Sequence, residues 1–271
     1  MRWIRHHLLT GYAVLAFAYL LLPIAVVMLF SFNAPSGRFN YVWEGFTLDN
    51  WWNWDAVPGI RDALVTSLQV GVISTIVATA LGTMVALALV RHRFRGRGTT
   101  NLLVFLPMST PEIVLGASLL TLFLQSRVVT GFLTIFIAHV MFVISYIVVT
   151  VKARLIGFDR HLEEAAADLG APPWRAFLEI TLPLMAPAVI AGVLLAFTFS
   201  FDDVIISLFV QRPGTSTLPV YILSSFKPGL KGDVAAIVVI TLAVSLIGIL
   251  SAATVLMRGR NHGGALGGLL D

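Results

Sequence analysis

The sequence predicts an all-α integral membrane protein with six transmembrane helices, and three observations support this fold class. Hydrophobic residues make up 58% of the 271 positions, and charged residues make up only 12%. A soluble domain carries about 25% charged residues, because polar side chains must cover its apolar core. The third observation is a series of six long apolar runs, which lipid or other apolar helices must surround.

Each apolar run is long enough to cross a bilayer, which takes about 20 residues. The first run follows a basic start with Arg2 and Arg5, as in a secretory signal peptide. It is longer than the apolar stretch of about 7–15 residues in such signals, so we expect it to remain as a helix. The six predicted spans are 8–30, 63–90, 102–124, 129–151, 184–210 and 234–257.

Basic residues predict the orientation of the chain, because Lys and Arg accumulate in cytoplasmic loops. With the N-terminus inside, twelve of the 18 basic residues lie on the inner side and six on the outer side. We therefore expect both termini to be cytoplasmic. The inner residues are Arg2, Arg5, Arg91, Arg93, Arg95, Arg97, Lys152, Arg154, Arg160, Arg175, Arg258 and Arg260. The outer residues are Arg38, Arg61, Arg127, Arg212, Lys227 and Lys231.

Sequence motifs give no support for an enzyme. The chain has no Cys, which excludes disulfides, thiolate metal sites and cysteine nucleophiles. It also lacks the phosphate-binding G-x-x-x-x-G-K-[S/T] loop and the H-E-x-x-H and G-x-S-x-G motifs of common hydrolases. His139 has no Cys or acidic neighbour at metal-ligand spacing, so we expect it to pack inside the protein. We predict a chain with no catalytic residues and no metal site.

The predicted outer loop 31–62 is rich in tryptophan, with Trp43, Trp51, Trp52 and Trp54. Tryptophan concentrates where a membrane meets water, so this loop is predicted to form an aromatic belt with a short amphipathic segment. Docking of a partner protein on these side chains is the alternative interpretation.

The inner loop 152–183 is the longest segment between predicted spans on the inner side. Its leucines and alanines repeat at three and four residues over 161–169, which predicts a helix. Gly170 is suited to end this helix, and Pro173 is suited to begin a second one over 174–180. Two functions fit such a helix pair: docking in a groove of a partner, or a solvated connection between two spans.

The inner loop also resembles a known family. Permease subunits of ABC importers share the pattern E-A-A-x-x-x-G, then nine variable residues, then I-x-L-P. This chain matches every specified position at the same spacing, with Glu164, Ala165, Ala166, Gly170, Ile180, Leu182 and Pro183. The resemblance implies the type I ABC importer permease (MetI-like) fold, as a single domain over 1–271 that contains 152–183 as its coupling-helix loop.

In that family the coupling loop inserts into a groove on an ATP-hydrolysing subunit. The resemblance therefore implies a role in coupling for the matched residues and for Glu163 and Asp168 on the same predicted helix. These residues would contact the ATPase or transmit its motion to the membrane helices. ATP and Mg are then bound by the partner and not by this chain. The expected partners are a second, related permease in a heterodimer, two ATP-binding subunits, an extracytoplasmic solute-binding protein and the lipid of a bacterial inner membrane, with no nucleic acid.

Three further stretches resemble the polyamine (spermidine/putrescine) branch of these permeases. They are LPMSTPEIVLGASLL over 106–120, FTFSFDDVIISLF over 197–209, and Thr217-Leu218-Pro219. Permeases for iron, thiosulfate and phosphonates share much of the same framework. The resemblance thus implies import of polyamines, with another small solute as the alternative.

Acidic residues within predicted spans are the candidate substrate contacts. A charged side chain at the centre of a span costs about 2.5–3.5 kcal/mol on insertion scales, so such residues are usually paired or functional. Glu112 lies in the third span, after Pro107 and Pro111, which are expected to break the helix. Glu112 would then lie near the N-terminus of a second half-helix, where the helix dipole favours a carboxylate.

The fifth predicted span carries two adjacent carboxylates among several phenylalanines. A polyamine needs carboxylates for its ammonium groups and aromatic faces for cation–π contact. The predicted substrate pathway consists of Glu112, Asp202, Asp203, Phe197 and Phe201, with Phe199 nearby. Two alternatives remain open. In the first, the acids are structural: Asp202 and Asp203 cap the end of the span or pair with an Arg of a second subunit, and Glu112 caps the broken helix. In the second, the acids serve an ion-gradient-driven secondary transporter.

Overall fold

The all-α prediction is confirmed in a computed structural model that describes residues 2–37, 40, 42–225 and 232–265. Arg38, Lys227 and Lys231, which were counted in the predicted orientation, lie outside the described residues. The helices are α1 (Arg2–Phe30), α2 (Asp49–Trp52), α3 (Ile60–Arg91), α4 (Arg97–Ser109), α5 (Glu112–Gln125), α6 (Phe132–Ile156), α7 (His161–Asp168), α8 (Pro173–Ala176), α9 (Leu182–Asp202), α10 (Ile205–Val210), α11 (Leu218–Ser225) and α12 (Gly232–Ala265), with a π-helical turn at Phe177–Thr181.

Five continuous helical segments in the described part of the chain are long and apolar enough to cross a membrane. They are Leu9–Phe30, Ile60–Arg91, Phe132–Ile156, Pro173–Asp202 and Gly232–Val255. The third predicted span is instead a pair of helices, α4 and α5, bent by 110°. The six predicted spans therefore correspond to five continuous helices and one broken pair.

The break between α4 and α5 follows from proline chemistry. Pro111 has no backbone N–H to donate to the preceding turn, and it disfavours helical geometry at the residue before it. Thr110 is accordingly extended, with ψ 134°, and Pro111 has ψ 128°. The new helix α5 begins at Glu112, as the sequence predicts.

The fifth predicted span, 184–210, is wrong as a single helix, because α9 ends at Asp202 and α10 begins at Ile205. Asp203 is extended, with ψ 127°, and its carboxylate accepts the backbone N–H groups of Ile206 (3.3 Å) and Ser207 (2.8 Å). A side chain that caps a new helix inside an apolar run leaves no trace in hydrophobic periodicity, which explains the missed break.

Two compact units make up the chain: residues 1–61 with 221–243, and residues 62–220 with 244–271. The larger unit is built around α6, which packs against α4, α5, α9 and α10. Ile147 of α6 is fully buried between two glycines. A Cβ added at Gly82 would lie 2.8 Å from this side chain, and one at Gly192 would lie 3.3 Å from it. Glycine at both positions lets α3 and α9 approach α6 closely.

The smaller unit contains α1 and the tryptophan-rich outer segment. Over Leu9–Phe30, the α1 helix leaves nearly all of its apolar side chains exposed. After α1, the ring of Phe32 stacks on those of Phe46 and Trp51, with ring centres 5.8 Å and 5.2 Å away. The side chain of Trp52, in contrast, is 78% exposed. Asn33 holds this segment together, since its side-chain oxygen accepts the Glu44 backbone N–H at 2.8 Å.

Candidate functional site

Two helix breaks of the larger unit meet at one cavity. The cavity has a volume of about 240 Å³, and it lies where α5 begins and α9 ends. All three intramembrane acids of the sequence analysis are among its lining residues, which are Glu112, Phe142, Phe199, Asp202, Asp203, Val204 and Ile205. The structure therefore brings together residues that are about 90 positions apart in the chain.

Glu112 and Asp202 are the open carboxylates of this cavity. Both side chains are exposed, and neither forms a hydrogen bond or an ion pair with any other described residue. Glu112 is the first residue of α5, where the helix dipole favours a negative charge. Asp202 is the last residue of α9, where the dipole opposes a negative charge, so a cation beside it would relieve an unfavourable interaction.

Asp203 has a different environment from its neighbour, because α9 ends at Asp202 and the extended backbone of Asp203 directs its side chain elsewhere. It is only 8% exposed, and it caps α10. Its Oδ2 also lies 3.4 Å from Nε2 of His139, a fully buried residue of α6. His139 itself contacts the hydroxyl groups of Ser200 at 2.7 Å and Ser207 at 2.9 Å. His139 is thus a satisfied packing residue, as the sequence predicts.

An aromatic wall borders the two open carboxylates. The ring centres of Phe199 in α9 and Tyr146 in α6 are 4.4 Å apart. Tyr146 also makes an edge contact with Phe142, at 5.5 Å between ring centres. Phe142 and Tyr146 are one helical turn apart on α6. Sequence reasoning missed both, because the pairing of α6 with α9 is a tertiary contact that neither span reveals alone.

The predicted pathway residues Phe197 and Phe201 do not line this cavity. Their rings stack on each other at 5.7 Å, Phe201 is buried, and Phe197 packs on Gly71 of α3. Residues two positions apart on a helix point about 200° apart, so Phe199 faces the side opposite to both. At this cavity, the sequence-based assignment is corrected from Phe197 and Phe201 to Phe199.

The inner loop has the predicted arrangement of helix, glycine turn and helix. The α7 helix is followed by Gly170, whose φ of +82° is a left-handed conformation that suits glycine. The backbone N–H of Ala171 bonds to the carbonyl of Ala166 across this turn at 2.9 Å. Pro173 then begins α8, and the π-helical turn carries the chain into α9 without interruption.

One side of α7 is anchored to the membrane helices. The Glu163 carboxylate forms an ion pair with Arg91, the last residue of α3, and accepts a hydrogen bond from the hydroxyl of Thr181. Thr181 and Ala166 are buried, whereas the Glu163 side chain is 23% exposed. Glu163 therefore points back toward the membrane part of the chain.

The opposite side of the loop is open. Of the predicted coupling residues, Glu164 and Asp168 are exposed, as are Ala165, Gly170 and Pro183, whereas Ile180 and Leu182 are half-buried. Two large apolar side chains flank the turn, Leu169 at 89% exposed and Trp174 at 66% exposed. Sequence reasoning missed both, although apolar residues beside the Gly-Ala-Pro-Pro turn were a usable signal.

A neighbouring ion pair of Arg175 and Glu179 lies on the same surface. Arg175 donates a hydrogen bond to the carboxylate of Glu179 at 2.8 Å, one turn away. This hydrogen bond and the attraction of the carboxylate raise the pKa of Arg175. The open face of the loop thus combines apolar side chains with paired charges.

Comparison with protein families identifies the chain. Residues 78–258, which include both the cavity and the inner loop, match the family described as binding-protein-dependent transport system inner membrane component. The chain belongs to this family. It is therefore a multi-pass inner-membrane permease component and not an enzyme, as the sequence predicts.

Curated relatives and solved structures agree with this membership. The permease is 40% identical to the spermidine/putrescine transport system permease protein PotC of Escherichia coli K12, over 88% of this chain and 89% of that protein. It is 36% identical to PotC of Haemophilus influenzae, over 95% and 99% of the two chains. The putrescine transport system permease protein PotI of Escherichia coli K12 is 37% identical, over 88% and 86%.

The fold is that of ABC importer permeases. A bacterial ABC transporter involved in the import of the acidic polysaccharide alginate matches with a TM-score of 0.67 and 15% identity, over 96% of this chain and 94% of that chain. An amino acid ABC transporter crystallised with histidines matches with a TM-score of 0.59 and 15% identity, over 80% and 100%. At these identities the likeness concerns the fold alone, and the predicted fold class is confirmed.

Proposed function

We propose that this permease forms half of the translocation pathway of an ATP-driven ABC importer for polyamines such as spermidine and putrescine. The observation that carries the proposal is the cavity in which Glu112 and Asp202, beside Phe199, have no hydrogen-bond or ion-pair partner among the described residues. The names of the relatives PotC and PotI support the same substrate class.

The chemistry of the cavity suits a protonated polyamine. Such a molecule consists of ammonium groups separated by methylenes, so it needs carboxylates at intervals and apolar surface between them. Glu112 and Asp202 provide the carboxylates, and the rings of Phe142 and Phe199 provide the surface for methylenes and for cation–π contact of about 0.5–2 kcal/mol. Asp203 is occupied by His139 and by the start of α10, so it contributes little charge to the substrate.

We also propose that the inner loop couples this pathway to ATP hydrolysis on a separate subunit. Leu169 and Trp174 are the apolar side chains that would enter a groove of the ATP-binding partner, which holds ATP and Mg. The contact of Glu163 with Arg91 and Thr181 would carry loop motion to α3 and α9. Glu164, Asp168 and the other exposed loop residues would complete the contact.

The assembly proposed here has a second, related permease as heterodimer partner, two ATP-binding subunits and an extracytoplasmic solute-binding protein. Both termini are proposed to be cytoplasmic, and residues 1–271 to form one permease domain. The loaded binding protein docks on the outer loops, ATP closes the cytoplasmic subunits and turns the pathway outward, and hydrolysis turns it inward again.

Other importer substrates fit the cavity less well. Phosphonate and thiosulfate are anions, and the open carboxylates would repel them. Among the residues that the structure describes, no group of three or more His, Asp or Glu is arranged to hold a metal ion, which is unfavourable for iron. A secondary transporter would have no use for the exposed apolar turn of the inner loop.

Transport by the assembled importer in liposomes tests the proposal. ATP-dependent uptake of spermidine and putrescine is expected, whereas iron, phosphonate and thiosulfate should not accumulate. Glu112→Gln and Asp202→Asn should each lower polyamine uptake about tenfold, since each removes about 1.4 kcal/mol or more of charge pairing. Glu112→Asp and Asp202→Glu, which keep a carboxylate at each position, are the matched controls and should retain more of the uptake than the amide variants.

Two results would overturn the proposal. Unchanged polyamine uptake in both Glu112→Gln and Asp202→Asn would contradict the proposed cation pathway. Uptake by this chain alone, without ATP or an ATP-binding subunit, would contradict the proposed importer mechanism.

A further inference from the structure

A second cavity of the larger unit lies at the opposite ends of its helices. It has a volume of about 290 Å³ and lies between the end of α3, the start of α4 and the last turns of α6. Its lining residues are Leu89, Arg97, Gly98, Asn101 and Lys152. In the orientation proposed above, this cavity faces the cytoplasmic leaflet of the membrane.

The two cationic side chains of this cavity have no acidic partner. No carboxylate of the described residues lies within 4.0 Å of Arg97 or Lys152, whereas Arg91 in the same region is paired with Glu163. The sequence contains no Asp or Glu between Asp62 and Glu112, so none is available locally. Arg97 is exposed and Lys152 is half-buried, and an anion bound between them would relieve the repulsion of the two like charges.

The position of Lys152 is fixed within the cavity. Its ammonium group donates a hydrogen bond to Asn101 of α4 and lies 5.8 Å from the ring centre of Phe105. Lys152 is half-buried, so its charge is not simply solvated like that of an exposed lysine. The amide of Asn101 still has N–H groups to donate, which adds a neutral donor to the two cations.

The backbone of α4 adds further donors. This helix has 13 residues, and no side chain caps its first turn. Gly98 lies in that turn and lines the cavity, and apart from its chain neighbours and the backbone of α4 no atom lies within 4 Å of the place where its Cβ would be. The first turn of α4 therefore borders the cavity, and the positive end of its helix dipole adds to the attraction of the two side chains for an anion.

Apolar side chains beside the cavity indicate the source of the anion. Leu102, Leu103 and Phe105 follow directly on α4, and they are 61%, 58% and 38% exposed, as is expected for contact with acyl chains. We propose that the cavity binds a phosphate group, namely that of an anionic phospholipid in the cytoplasmic leaflet. Basic pockets between membrane helices on this side are suited to such headgroups.

The proposal concerns a separate site and not the polyamine pathway, and it rests on the proposed function only for the side of the membrane. Lipid binding to the purified importer complex can be measured by native mass spectrometry with phosphatidylglycerol, and with phosphatidylcholine for comparison. Retention of phosphatidylglycerol is expected. The double variant Arg97→Gln, Lys152→Gln should weaken it at least about tenfold.

The loop between α3 and α4, just before Arg97, provides a matched control. Arg93→Gln with Arg95→Gln removes the same charge from exposed positions that do not line the cavity, and it should leave lipid retention unchanged. Gly98→Leu tests the site without any change of charge, since its side chain would fill the open space and displace the phosphate. This variant also favours the helix, so loss of folding is not expected.

The experiment distinguishes a lipid headgroup from free inorganic phosphate, and it shows whether the cavity is a binding site at all. Excess inorganic phosphate should not displace phosphatidylglycerol, and displacement would overturn the assignment to a lipid. Equal loss in the cavity variant and the Arg93, Arg95 control would show general surface attraction and contradict a built site. Retention of phosphatidylcholine equal to that of phosphatidylglycerol would contradict a site selective for anionic lipid. All of these measurements are independent of polyamine uptake, so they can fail without any failure of the proposed transport function.

Discussion

His139 Nε2 lies 3.4 Å from Oδ2 of Asp203, at the point where α9 ends and α10 begins. This contact joins the first third of α6 to a break in the fifth span, and it lies directly beside the Glu112 cavity. It also separates the two adjacent aspartates by environment, since Asp203 is held in the core and Asp202 is left open.

The first prediction concerns the stability of this break. Asp203→Ala would leave the backbone N–H groups of Ile206 and Ser207 without their side-chain acceptor, at about 1–3 kcal/mol for each buried group. We expect a clear fall in the thermal unfolding temperature of the purified complex. Asp202→Asn should unfold like the wild type, and equal unfolding temperatures for both variants would contradict this interpretation.

A second prediction concerns His139 itself. His139→Leu removes the partner of two hydroxyls, Ser200 and Ser207, and leaves the Asp203 carboxylate against an apolar side chain. Polyamine uptake should fall about tenfold or more, because buried unsatisfied groups will shift the start of α10. His139→Gln retains hydrogen-bonding atoms and should recover part of the uptake. The idea fails if the leucine and glutamine variants transport equally well.

Close packing of α5 on α10 gives the third prediction. A Cβ at Gly116 would lie 2.7 Å from the ring of Phe209, so Gly116→Ala should lower the free energy of unfolding by about 1–3 kcal/mol. It should also displace Glu112, which lies one turn before Gly116 on α5. Phe209→Leu should relieve part of this effect in the double variant. Gly11→Ala, where nothing lies within 4 Å, is the control. Thermal unfolding and uptake measure both effects.

The turn of the inner loop gives the fourth prediction. Gly170 has a φ of +82° in open space, so a substitution there is limited by the backbone and not by a clash. Gly170→Val should misplace α8 and reduce copurification of the ATP-binding subunit, whereas Gly170→Asn should retain it, because asparagine tolerates the left-handed conformation. Equal copurification with both variants would show that the turn does not position a docking surface.

The last prediction concerns the anchor of α7. Arg91→Gln and Glu163→Gln should each lower the amount of polyamine imported per ATP hydrolysed, because each breaks the link from the loop to α3. If the two residues act as one contact, the double variant should be no worse than the more affected single variant. Strictly additive losses would instead indicate that the residues act separately.

Much of the fold followed from composition and local pattern. The apolar runs predicted the spans, Pro111 predicted the break before Glu112, and Gly170 with Pro173 predicted the paired helices of the inner loop. Each of these features depends on a backbone preference or a hydrophobic run that is visible within a short stretch of sequence. The break after Asp202 was missed, because it depends on a side-chain cap.

The sequence by itself thus determined that the chain crosses a membrane, that its third span breaks before Glu112, and which motif of the inner loop marks its family. Only the tertiary structure decided which of two adjacent aspartates is open, that Phe199 and not Phe197 or Phe201 borders it, and that Glu163 turns toward Arg91. The physical reason is that hydrophobic runs and backbone preferences act locally. The environment of a carboxylate or a ring instead depends on which distant helix packs against it.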